Sequence, residues 1–149
     1  LQKLNDEVLP QVAAADEAIS SLQKAIVGLM RLLTWQDFEL LVDLVFSSSG
    51  WRRRGVLGST QKTVDLELLL PTTGERAFVQ IKSQASKKHI LDYLNRFSAT
   101  QYDRMFLVWH SGNVGDVEDA DGVTFLGPEQ LAKMVLDTGL SSWLRDKAS

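Results

Sequence analysis

Asp65, Glu67, Gln80 and Lys82 are the residues whose types and spacing could do chemistry together. They fall in two short alternating segments, VDLELLL (64–70) and FVQIKS (78–83), joined by the turn-like PTTGE (71–75). Along a strand, side chains at i and i+2 point to the same face. Asp65 and Glu67 therefore share one face of the first strand, and Gln80 and Lys82 share one face of the second. Val64, Leu66, Leu68, Val79 and Ile81 suit a buried opposite face. Paired as a hairpin, the segments bring two carboxylates, an amide and an ammonium onto one patch of an otherwise apolar sheet. Charges so placed are costly unless paired or metal-bound. The pattern predicts a site.

The elements that must position this hairpin can be read from periodicity. Residues 4–33 carry Leu4, Val8, Leu9, Val12, Ala15, Ile19, Leu22, Ile26, Leu29 and Leu33 near helical spacing. They predict an extra N-terminal helix, packed on the domain or on a partner chain, with Pro10 at an early break or a first-turn position. Thr34 is a good N-cap for a second helix reaching about Ser47. Glu39 lies at the edge of that helix's apolar stripe of Trp35, Phe38, Val42, Val45 and Phe46. It reads either as a boundary residue reaching water or as a carboxylate carried inward to the strand pair. A short strand at 51–56, a turn at Gly58 and Ser59, and the hairpin follow. Ser86 opens a helix to about Ser98, and Met105–Trp109 is an apolar strand. His110–Gly115 reads as a loop, with His110 at the strand end either a ligand or, preferably, a surface or loop histidine, and Val123–Leu126 reads as a further strand. A helix from Pro128 to about Asp137 and a short one near Trp143 end the chain. Strands alternating with helices predict an α/β fold with parallel or mixed pairing.

Composition narrows the function. The 149 residues are 44% hydrophobic and 23% charged, ordinary for one globular domain with a core of its own. Without cysteine there is no disulfide framework, thiolate zinc site or thiol nucleophile. Two histidines, His89 and His110, make a histidine-rich metal cage a poor expectation. No apolar run approaches a membrane helix and no signal peptide is evident, so a cytoplasmic location is expected. The chain does not open on methionine, as expected of a domain from a longer protein with additional domains. The net charge of −3 and pI near 5.3 argue against coating nucleic acid by bulk electrostatics. Basic residues nonetheless cluster at Arg52, Arg53, Arg54 and Lys62 and again at Lys82, Lys87 and Lys88, flanking the hairpin. Each cluster alone reads equally well as a solvated loop, but their shared position favours a polyanion partner.

Four pieces then occur in order: WxxFExLV at 35–42, GW at 50–51, VDLE at 64–67 and VQIK at 79–82. Together they resemble the PD-(D/E)xK restriction-endonuclease-like nuclease superfamily, and more narrowly its Mrr-like branch. VTFLGPEQLA (123–132) is similar to that branch's closing strand and helix, so the likeness spans residues 34–138. The resemblance implies a restriction-endonuclease-like core at 34–149, a central mixed β-sheet flanked by helices, behind an N-terminal helical extension at 1–33. It implies that Asp65 is the metal-binding aspartate, that Gln80 holds the place of the second acid and Lys82 that of the lysine. Glu39 matches an acid often found on the first core helix. Gln80 departs from the usual carboxylate, and Glu39 or Glu67 could restore the missing charge at the metal.

The expected activity is a Mg²⁺-dependent (or Mn²⁺-dependent) DNA endonuclease of restriction, phage defence or repair. Arg52, Arg53, Arg54, Lys62, Lys87 and Lys88 are the expected DNA-binding residues, and homo-oligomers are compatible. The alternative is a catalytically silent nuclease-fold domain serving as a nucleic-acid-binding or protein-interaction scaffold.

Overall fold

The computed structural model describes residues 9–59, 63–97 and 101–149. Helix α1 (Pro10–Met30) leads into α2 (Trp35–Ser48). Strands β1 (Arg52–Ser59), β2 (Thr63–Leu70) and β3 (Glu75–Gln84) follow, then α3 (Lys87–Phe97), β4 (Arg104–Ser111), β5 (Val123–Leu126), α4 (Pro128–Asp137) and α5 (Ser141–Ala148). The strands form one mixed sheet in the order β1-β2-β3-β4-β5. The first three are an antiparallel meander, and β4 and β5 run parallel to β3.

Local chemistry explains the elements that frame the hairpin. Thr34 caps α2 by accepting a hydrogen bond from the Asp37 N–H at 3.1 Å. Between β2 and β3 the chain reverses at Gly74, whose φ of +78° only glycine adopts cheaply. Its N–H closes the turn on the Leu70 carbonyl at 2.8 Å. This turn fixes the register, pairing Asp65 with Gln80, Leu66 with Val79 and Thr63 with Lys82.

Two apolar layers follow from strand alternation. Leu66, Leu68, Val79 and Ile81 are buried against Phe38, Leu41, Val42, Val45 and Phe46 of α2. Ile26 and Met30 of α1, Leu131 and Val135 of α4 and Leu144 of α5 complete that core, so the C-terminal turns of α1 belong to it. On the other face Phe78, Met105, Leu107, Trp109 and Phe125 pack with Ile90 and Tyr93 of α3. The Tyr93 hydroxyl donates to the Phe106 carbonyl at 2.6 Å, satisfying its one polar atom.

Two expectations are corrected. His110 is not a surface loop residue: β4 runs on to Ser111, paired with Gln84. The imidazole is only 7% exposed, edge-on to Phe38 with ring centroids 4.5 Å apart. Gly58 and Ser59 are not a turn but the end of β1, where irregular register beside Val56 lets the strand continue. Among the described residues, no helix is long and apolar enough to cross a membrane.

Candidate functional site

Asp65 lies one residue before Leu66, which faces α2, so its carboxylate projects to the α3 side. Gln80 stands directly across on β3, and its Nε2 donates to Asp65 Oδ1 at 3.2 Å. Lys82, two residues along β3, points the same way and is half-buried beside its β4 neighbour Trp109. An aspartate, an amide and an ammonium therefore share one sheet face, the first two in hydrogen-bond contact.

Glu67 shares that face but is already engaged. The Tyr102 hydroxyl donates to its Oε2 at 2.6 Å, and Arg76 Nη2 lies 3.1 Å from the same oxygen. The tyrosine hydrogen bond, aided by the charges of Arg76 and Arg54, holds the Glu67 carboxyl below the usual carboxylate range. Burial and the bond to Glu67 push the Tyr102 phenol up in turn. Arg76 also stacks over the Tyr102 ring, 5.2 Å from its centroid. Sequence reading does not single out Tyr102, which lies outside the two alternating segments, or Arg76, which keeps the parity of Phe78, Gln80 and Lys82 on β3 but precedes the FVQIKS segment; that parity was the available signal for Arg76.

Glu39 lies elsewhere. Its helix packs on the Leu66 side of the sheet, and its carboxylate sits 3.7 Å from Arg53 rather than reaching towards Asp65. The cause is β1: Arg53 pairs with Leu68 and so faces α2, where it also bonds Asp43 at 2.8 Å. The arginine run thus divides. All three are exposed, but Arg53 is ion-paired to α2 and ties β1 to it, while Arg54 acts on Glu67. Lys87 and Lys88 are exposed at the start of α3, and Lys62 lies outside the described residues.

His89 is a site neighbour that sequence reading passed over. At the third position of α3 it takes the part usually played by Glu in a capping box: its Nδ1 accepts the Ser86 N–H at 3.0 Å. That bond leaves the ring proton on Nε2 of the neutral imidazole. Burial first, then the nearby Lys82 charge, lower its pKa. Ser86, recognisable as an N-cap with histidine three residues on, was the available signal.

As a donor set, Asp65 offers one firm carboxylate and Gln80 an amide able to present N–H or carbonyl oxygen. Among the described residues no cluster of three or more carboxylates or imidazoles gathers here. Mg²⁺ does not require one, since it commonly takes one or two carboxylates and completes its shell with water and substrate phosphate. The residues fit such an ion, with Glu67 available only by leaving Tyr102 and Arg76.

No family model matches this chain, and no curated protein or solved structure matches it significantly.

Proposed function

We propose that the chain is a Mg²⁺-dependent DNA endonuclease with a restriction-endonuclease-like core. The observation that carries the reading is the Asp65–Gln80–Lys82 group, set by hairpin register on one sheet face. The order α2-β1-β2-β3-α3-β4, an antiparallel meander followed by a crossover to a parallel strand, supports it. Asp65 and the Gln80 amide oxygen would hold the ion. When bound, such an ion lowers the pKa of water and neutralises charge on a phosphodiester. Lys82 orients the attacking water and stabilises negative charge developing on the phosphoryl oxygens. Exposed Arg52, Arg54, Lys87 and Lys88 supply phosphate contacts that position DNA without reading its sequence.

One observation favours the competing reading, a silent nuclease-fold scaffold. Tyr102 and Arg76 occupy Glu67, so among the described residues no second carboxylate is committed beside Asp65. Salt-dependent DNA binding combined with plasmid nicking separates the two. The enzyme nicks plasmid with Mg²⁺ or Mn²⁺ and loses activity in Asp65→Ala. A scaffold binds DNA with a negative salt slope and nicks with neither ion, even after Gln80→Glu.

A further inference from the structure

Helix α1 leaves the domain half-way along its length. Every residue from Leu9 to Leu22 is exposed, whereas Ile26 and Met30 are fully buried. An isolated helical segment this short is marginal in water, yet it carries Leu9, Val12, Ile19 and Leu22, each 40–48% exposed. Its apolar residues keep a seven-residue spacing. Val12, Ile19 and Ile26 form one set, and Ala15, Leu22 and Leu29, three positions on, form the other. A strict heptad is the period of two helices wound around each other, not of a helix lying on a sheet. The C-terminal end of the seam is already filled, since Ile26 and Leu29 join the domain core. The N-terminal end is the same seam, and among the described residues nothing buries it.

We infer that residues 9–22 of α1 are a dimerisation helix that pairs in parallel with α1 of a second copy of this chain. The choice of occupant rests on the residues. β-Branched Val12 and Ile19 at one seam position, with Leu22 at the other, favour two parallel strands. The flanks suit a self-pair: Gln11 and Ala18 lie on one side, Asp16 and Gln23 on the other. In a parallel pair Asp16 of one copy meets Gln11 of its partner, so no like charges oppose. The same surface serves both copies, as a closed two-fold dimer requires. Glu17, Ser20, Ser21 and Lys24 remain outside, in water.

The test is the mass of the full chain in solution, by light scattering across a concentration series. The expected value at high concentration is twice 16.6 kDa. Ile19→Asp should yield a folded monomer, with native far-UV circular dichroism and a melting temperature that no longer depends on concentration, because Ile19 is 46% exposed and outside the core cluster, and Ser20→Asp should remain dimeric. The chain has no cysteine, so Leu22→Cys gives a clean second reading. Oxidation should cross-link it to a covalent dimer far faster than Ser20→Cys on the outer face. A monomer at every concentration overturns the inference, and so does a dimer indifferent to Ile19→Asp or cross-linking of Leu22→Cys no better than Ser20→Cys.

Discussion

Between Tyr102 and Glu67 the sheet face holds a carboxylate charge that the proposed metal chemistry does not use in this arrangement. The carboxyl titrates below its ordinary range chiefly because the tyrosine hydroxyl favours the ionised form. Tyr102→Phe should therefore raise the Glu67 pKa, read from its side-chain carboxyl carbon in an NMR titration; an unmoved titration would contradict the assignment. The same substitution releases one restraint on Glu67, leaving Arg76 as its partner. Gln80→Glu should tighten divalent-ion binding on the order of tenfold by restoring a carboxylate beside Asp65. Calorimetry measures that directly, and weaker binding would mean that Asp65 is not the ion's seat.

At the level of elements, the junction of β3, α3 and β4 holds the site together. Gly112 follows β4 at φ +102°, and a Cβ there would lie 2.1 Å from the Ala85 carbonyl oxygen. Gly112→Ala should cost about 1–3 kcal/mol of stability from backbone strain, with further loss from the clash. Urea denaturation gives the number, and a neutral result would mean that the 85–86 turn gives way freely. The arginine run predicts a different split. Arg53→Ala loses ion pairs to α2 of half-exposed kind, about 0.2–1 kcal/mol. Arg52→Ala with Arg54→Ala should leave thermal unfolding unchanged and flatten the salt slope of DNA binding by about 0.9 per lost phosphate contact. An unchanged slope places DNA on another side. The hairpin was legible in the sequence because period-two alternation and a Gly74 turn specify register by themselves. Glu39 was not. The helical wheel puts it at the edge of the stripe, but its partner depends on which face of β1 Arg53 takes, a tertiary fact with no local signature. His110 was misread for a related reason: strand ends are set by the neighbouring strand, here Gln84, rather than by the residue's own type.

Across the whole molecule, two neutral imidazoles, His110 buried and His89 partly buried, tie the fold to pH. Burial, then Arg31, lowers the pKa of His110, while burial, then Lys82, lowers that of His89. The unfolded chain takes up these protons first, so stability is present above the ordinary histidine pKa of about 6.5 and is lost as pH falls through it. Melting temperature should decline on acidification across that window, less steeply in His89→Gln, and a flat profile would contradict the packing of both rings. The α/β class was legible because strands interleaved with helices imply parallel or mixed pairing, and the antiparallel hairpin makes the sheet mixed; the exposed half of α1 was not, since periodicity names a buried face without saying what covers it. The central claim, that one sheet face cleaves DNA, is tested most directly by Mg²⁺-dependent plasmid nicking in parent and Lys82→Ala protein, with ion binding measured on both. The account predicts nicking by the parent, none by Lys82→Ala, and ion binding in Lys82→Ala that is intact or tighter because a positive charge beside the site is gone. Undiminished nicking by Lys82→Ala, or no nicking by the parent with any divalent ion, would contradict it.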